Sequence, residues 1–271
     1  MPQIKMQLRG GLGNQLFQVL AMNFFSRKLS CLAQIDDRAI IRHSDTARRS
    51  WLRKIDIERM FDNCNLNWTN KVITQIRSRL PDRRNFHTIV NEEELASLTS
   101  LDDTIRIVGW FQTSHYLPEK KIRLEREFLY KISPKILDFG EGIQSDNIGA
   151  IHIRLGDFKQ TSWGTLPDSW YKKATKTLIE SGIERLDVYS DEIEDAKRIL
   201  KDFCTDVKFH FPEEVETRNP IELLWTLSSY NKFISSNSSL SWWSSYLNRN
   251  SSSLIISPWS NDLLIPGWLN Q

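Results

Sequence analysis

Cysteine is scarce in this chain: Cys31, Cys64 and Cys204 are odd in number and show neither CxxC nor metal-ligand spacing. Neither a disulfide framework nor a zinc site is indicated, and a reducing compartment fits best. Long apolar runs are missing as well, since nowhere do about eighteen uncharged apolar residues follow one another. Met1-Pro2-Gln3-Ile4-Lys5 lacks the charged-then-apolar pattern of an export signal. The expectation is a cytoplasmic protein that is neither exported nor membrane-spanning by its own sequence. There is no GxxxxGK[ST], which argues against a P-loop nucleotide hydrolase, and no internal repeat or low-complexity tract. A large charge surplus is also absent: 36 Lys and Arg face 34 Asp and Glu for a net charge of +2, and no nucleic-acid partner is expected.

What is present suffices for a substantial core. The chain has 271 residues, 40% hydrophobic and 26% charged, enough for one large globular unit or two domains. Its charge is uneven: residues 1–90 hold 16 Lys and Arg against 7 Asp and Glu, and the remainder holds 20 against 27. A basic half can face an anionic membrane leaflet or an anionic substrate carrier, or form an ordinary solvated face. Ten tryptophans are present, and aromatic faces suit sugar rings as well as cores.

Gln3 to Leu8 alternates as a strand, and Arg9-Gly10-Gly11-Leu12-Gly13-Asn14-Gln15 breaks the alternation. Helical spacing of Leu16, Phe17, Leu20, Phe24 and Phe25 follows to Leu29, and Cys31 to Asp36 returns as a strand. This is a βαβ unit whose turn offers backbone N–H groups at a helix N-terminus, or is simply a tight glycine turn. As a dinucleotide fingerprint, Gly11-x-Gly13-x-x-Leu16 with Asp36 or Asp37 lacks the third glycine that close helix–strand packing needs. Residues 38–103 are irregular, with Arg48-Arg49 and Arg83-Arg84 pairs. A basic amphipathic stretch from Lys71 to Leu80 there suits either a membrane surface or its own domain. Thr104 to Gln112 reads as a strand and Pro118 to Tyr130 as a charged helix leading to a second half.

From Ile148 the rhythm is regular. Strands at 148–154, 186–190, 207–211 and 232–235 alternate with helices at 167–181, 192–203, 219–230 and 239–248, and Leu254-Ile255-Ile256 closes. The fold class expected is α/β, with parallel sheets in two facing Rossmann-like domains, residues 1–145 and 146–271.

Three strand ends in the second half carry polar groups. In Gly149-Ala150-Ile151-His152-Ile153-Arg154-Leu155-Gly156-Asp157, alternation puts Ile151, Ile153 and Leu155 on one face and His152 and Arg154 on the other. Arg154 is either a ligand grip or the partner of Asp157 in a structural ion pair. Tyr189-Ser190-Asp191-Glu192 ends a strand on two carboxylates, which cap the next helix or accept the N1–H and 2-amino protons of a guanine. Ser235-Ser236-Asn237-Ser238-Ser239 before Leu240-Ser241-Trp242-Trp243 is a helix cap or a phosphate cradle without glycines.

Together, Gly10 to Gln18, His152 to Asp157, Tyr189 to Glu192 and Ser236 to Trp243 resemble the bacterial and animal α-1,2-fucosyltransferases of glycosyltransferase family 11, nearly end to end. The resemblance implies a GT-B-like fold, GDP-fucose as donor, inversion at the anomeric carbon, no metal, and transfer to the 2-hydroxyl of a galactose-type residue. Arg154 would then grip the donor β-phosphate, with His152 and Asp157 beside it. Asp191 or Glu192 would read guanine, and Asn237, Ser238 and Ser239 would hold the pyrophosphate. Gly11 and Gly13 would belong to the first-half turn from which Asn14 reaches fucose or the acceptor hydroxyl. Leu155 stands where the family often has a second arginine. The absence of a membrane anchor points to a bacterial enzyme with a lipid-linked acceptor such as an O-antigen repeat, met at the inner leaflet. No general base is identifiable. A NAD-dependent oxidoreductase using the Gly11–Gly13 turn and Asp36, or a non-catalytic glycan-binding protein, are the alternatives.

Overall fold

The computed structural model describes residues 2–37, 40, 50–61, 66–68, 87–89, 92–130, 132–143, 145–201, 207–213, 215, 219–250 and 252–271. The Lys71–Leu80 stretch, the Arg48-Arg49 and Arg83-Arg84 pairs, Cys64 and Cys204 lie outside the described residues. Two compact units are formed, Met1–Tyr130 and Lys131–Gln271.

The first unit begins as expected with β1 (Gln3–Gln7), α1 (Leu12–Lys28) and β2 (Leu32–Asp36). Ile4 and Met6 of β1 point into the core, and α1 is buried almost all round, with Leu16, Phe17, Leu20 and Phe25 inside. Arg27 and Lys28 in its last turn complement the helix dipole. There follow α2 (Ile57–Met60), β3 (Leu66–Trp68), β4 (His87–Ile89), α3 (Glu92–Ser97) and β5 (Ile105–Ile107). Every strand pairing is parallel and the sheet order is β3-β2-β1-β5-β4. The winding therefore runs from β1 through β2 to β3 and resumes on the other side, so its direction reverses between β1 and β5.

The helix expected over 118–130 does not form. Exposed Lys121 and Arg123 alternate with buried Ile122 and Leu124, a period of two that suits extended chain rather than a helix, and only Arg126–Phe128 coils into a 3-10 turn. Leu129 then makes an antiparallel bridge to Ile55.

The second unit contains α4 (Pro134–Gly142), β6 (Ile148–Ile153), α5 (Asp168–Glu180), β7 (Arg185–Ser190), α6 (Ile193–Leu200) and β8 (Lys208–His210). It continues with α7 (Pro220–Leu227), β9 (Lys232–Ile234), α8 (Ser239–Tyr246), β10 (Leu254–Ser257) and β11 (Leu269–Asn270). All pairings are again parallel, in the order β11-β10-β9-β6-β7-β8. The winding reverses between β6 and β9. Ile151, Ile153 and Leu155 pack with Val188, Ile234 and the α5 residues Tyr171 and Leu178 in one core. No helix among the described residues is long and apolar enough to cross a membrane.

The units divide after Tyr130 rather than after residue 145, because α4 is built into the second one. Trp225 Nε1 of α7 donates to the Leu137 carbonyl at 3.2 Å, and the Arg249 guanidinium lies 4.1 Å from the centre of the same indole. Gly140 permits this approach, since a Cβ there would lie 2.5 Å from Trp225 Nε1. Gly140→Ala is expected to destabilise the protein by about 1–3 kcal/mol through overpacking against a rigid ring. The shift in the urea midpoint measures it, and an unchanged midpoint would show that the two helices part freely.

Candidate active site

Strands β9, β6 and β7 are neighbours and run parallel, so their C-terminal ends open at one edge of the sheet, at the reversal between β6 and β9. Ligands of open parallel sheets bind at such a reversal, beyond the strand ends. Arg154 leaves β6 there with its side chain 28% exposed. Its guanidinium pairs with Asp157 at 2.5 Å and with Asp191 at 3.1 Å and lies 5.6 Å from the Phe158 ring centre. Both the ion pair and an accessible cation are thus present in one residue. Asp191 also accepts the Leu155 N–H at 3.0 Å. A Cβ on Gly156 would lie 2.3 Å from Asp191 Oδ2, so the loop and this carboxylate fit only because residue 156 has no side chain. Leu155 is buried with Ile151 and Ile153, as alternation predicts.

His152 is buried, with Nδ1 3.2 Å from Ser236 Oγ, and so joins β6 to the turn after β9. That turn is tied together by its own hydroxyls. Ser235 Oγ donates to Ser241 Oγ, the Ser236 N–H donates to Ser241 Oγ at 2.9 Å, and Ser238 Oγ caps α8 by accepting the Ser241 N–H at 3.1 Å. The Ser238 N–H in turn donates to Ser236 Oγ at 3.4 Å. The serine run is therefore a cap, and most of its hydroxyls face inward. The hydroxyl of Ser239 and the N–H groups of Ser239 and Leu240, in the first turn of α8, have no partner among the described residues. Asn237 fixes the neighbouring loop by donating from Nδ2 to the Gly164 carbonyl at 3.0 Å.

On β7, Asp187 is fully buried and accepts from Tyr230 Oη at 2.6 Å, while Arg185 and His210 approach the same carboxylate at 2.9 Å. Tyr230 also meets Tyr189 Oη at 2.7 Å. This network anchors β7 directly before its tip. Glu192 follows Asp191 with its side chain exposed and its N–H on Ser190 Oγ at 3.0 Å.

Asn14, Gly11 and Gly13 lie in the first unit. Gly11 precedes α1 as its N-cap and Gly13 is buried in the first turn, whereas the glycine with positive φ (+72°) is Gly10. Asn14 Oδ1 accepts from Gln112 Nε2 at 2.7 Å. Gln18, fully buried, accepts the Arg9 N–H at 3.0 Å and donates to the Gly109 carbonyl at 3.1 Å, which binds the turn after β1 to the loop after β5. The strand reading of Thr104 to Gln112 hid this: β5 ends at Ile107, and Gly109 is the signal that a loop had begun. Asp37, a carboxylate that a dinucleotide reading would place on a ribose, is fully buried and bonded to Arg53 at 2.6 Å and to Ser50 Oγ at 2.8 Å. Among the described residues, no group of three or more His, Cys, Asp or Glu side chains could hold a metal ion.

Burial and the neighbouring Arg154 charge push the His152 pKa down to about 4, against an upward pull from Asp191. The unfolded imidazole protonates near 6.5, so between that value and about 4 the unfolded chain binds a proton the native chain refuses. Stability from the neutral imidazole is complete above 6.5 and is lost as pH falls toward 4. Unfolding free energies from urea titrations of the wild type should drop more steeply than those of His152→Asn across this window, by at most about 1.4 kcal/mol per pH unit. Parallel curves would place the acid sensitivity elsewhere.

The model of the family described as "Glycosyl transferase family 11" matches residues 5–264. The O-antigen biosynthesis glycosyltransferase WbnK of Escherichia coli is 24% identical, over 97% of this chain and 98% of its own. An α-1,2-colitosyltransferase of the same organism is 24% identical, over 93% and 90%. Among solved structures, the α-1,6-fucosyltransferase NodZ of Bradyrhizobium, soaked with GDP-fucose, superposes with a TM-score of 0.52 at 14% identity, covering 91% of this chain and 92% of NodZ. Such likeness gives the fold class, GT-B-like α/β with a parallel sheet in each unit. With the family model spanning nearly the whole sequence, the chain belongs to glycosyl transferase family 11.

Proposed function

We propose that this protein is an inverting α-1,2-fucosyltransferase that transfers L-fucose from GDP-fucose to the 2-hydroxyl of a galactose-type residue of an O-antigen repeat, without a metal ion. The observation that carries the reading is that an accessible arginine follows β6 while the unpartnered N–H groups of Ser239 and Leu240 follow the adjacent strand β9, at the reversal of the winding. Breaking the C1–O bond of the donor puts negative charge on the β-phosphate while the sugar gains oxocarbenium character. A fixed guanidinium and helix N-terminal amides stabilise that charge, by about 3 kcal/mol for each well-placed donor. Asp157 and Asp191 hold Arg154 in place beforehand, so little reorganisation accompanies the step. Asp191 already accepts from Arg154 and the Leu155 N–H, which leaves the exposed Glu192 as the carboxylate for the guanine N1–H and 2-amino protons.

NodZ soaked with GDP-fucose supports the donor, and the names of the two Escherichia coli relatives support the O-antigen setting and the α-1,2 linkage. The basic first 90 residues would favour an anionic leaflet bearing a lipid-linked acceptor. Calorimetric titration with GDP, with and without chelator, and transfer assays with GDP-fucose beside nucleotide-linked colitose decide the reading. GDP binding that ignores chelator and fucose transfer to galactose-terminated glycans are expected. Binding of NADH without GDP, or transfer of colitose alone, would replace it.

Arg154→Ala should lose at least about 100-fold in turnover, the cost of one oxyanion-type donor, and near-normal activity would remove Arg154 from catalysis. Glu192→Ala should reduce the preference for GDP over ADP by about ten-fold while activity with saturating donor persists. If that preference is unchanged, guanine is read by another residue.

A further inference from the structure

The first unit has its own winding reversal, between β1 and β5, and the loops leaving these two strands form a constellation of their own. Phe111 is buried with φ at +53°, a conformation that costs a bulky residue about 1–3 kcal/mol and persists only where its surroundings enforce it. Here the enforcement is visible: the Phe111 ring folds back over Gly109, where a Cβ would lie 2.7 Å from it. The reversal in the backbone turns Trp110 outward, 48% exposed, and sends Gln112 to Asn14. A Cβ on Gly10 would lie 2.4 Å from Asn14 Nδ2 and 3.0 Å from Trp110 Cζ3. The indole and the amide therefore rest against the same point of the backbone and are neighbours.

The amide pair is only half satisfied. Gln112 Nε2 donates to Asn14 Oδ1 at 2.7 Å, which leaves Asn14 Nδ2 as a donor and Gln112 Oε1 as an acceptor, with no partner among the described residues. One donor and one acceptor on a fixed pair of amides match two adjacent hydroxyls of a sugar, one accepting and the next donating. An exposed indole face matches the C–H face of the same ring.

We propose that Trp110, Gln112 and Asn14 form a pyranose-binding subsite that holds the acceptor sugar. Assigning the ring to the acceptor rests on the fucosyl-transfer reading; the existence of the subsite does not. Saturation-transfer NMR of methyl β-D-galactopyranoside with the full chain tests it, alongside calorimetric titration of GDP on the same samples. The wild type should saturate the ring protons. Trp110→Ala should weaken glycoside binding about ten-fold, Gln112→Ala by a similar factor, and Trp110→Phe far less, all with GDP affinity unchanged. Gln112→Ala keeps the test open should the indole prove necessary for folding. No saturation by the wild type, undiminished saturation in both alanine variants, or GDP affinity falling in step with the glycoside signal would each overturn the proposal. Failure of the wild type to bind GDP is a separate result that strikes the donor reading, and the glycoside signal still decides this one.

Discussion

The position of Arg154 depends on one carboxylate. Asp191 stands at the end of β7, accepts the Leu155 N–H, pairs with the guanidinium and occupies the space that a side chain on residue 156 would need. Because β6 and β7 run parallel in register, with Ile153 opposite Ser190, the carboxylate reaches the loop from the next strand rather than from within it. That arrangement couples the tip of β6 to the tip of β7. An exposed pair such as Arg154–Asp157 adds little by itself, but a guanidinium held from two sides keeps one orientation. The buried Asp187–Tyr230–Tyr189 network one turn of the pleat earlier makes β7 a firm base for it.

Much of this was legible in the sequence. The βαβ opening, the alternation after Ile148 and the three polar strand ends follow from periodicities of two and 3.6, and those elements appear where the pattern places them. Leu155 on the core side follows from simple alternation, while Arg154, read as the last residue of a strand over 148–154, lies one residue past its end. The strand order was not legible, since periodicity says which face is buried and not which strand lies beside which. Yet it is the order that places Arg154 and the α8 N-terminus at one reversal and Asn14 and Gln112 at the other.

The mismatches have local causes. Pro118 to Tyr130 has helix-forming charged residues, but its buried positions alternate, and burial prevailed over propensity. The serine run has the composition of a phosphate cradle, yet Ser235, Ser236, Ser238 and Ser241 satisfy one another, because hydroxyls crowded at a helix start find backbone and side-chain partners nearby. Composition could show that the groups were polar but not which of them would remain open. The left-handed Phe111 carries no sequence signal of its own, since neither residue type nor spacing announces a positive φ in an aromatic residue.

Leu155, at the place where the family resemblance leads one to expect a second arginine, has a physical reading. Its side chain is 5% exposed among Ile151, Ile153 and Val188, and its N–H is committed to Asp191. An arginine on this backbone would start among aliphatic side chains, where burying its charge is costly. His152 cannot supply the missing charge either, because burial and Arg154 keep its imidazole neutral well below physiological pH. Among the described residues, the positive charge at this sheet edge comes from the Arg154 guanidinium, the first amides of α8 and Lys159, which is bonded to Asp195 and within electrostatic reach of Asp191 and Glu192. The guanidinium and the amides are a fixed charge and fixed dipoles, which favour a developing anion without being able to move toward it.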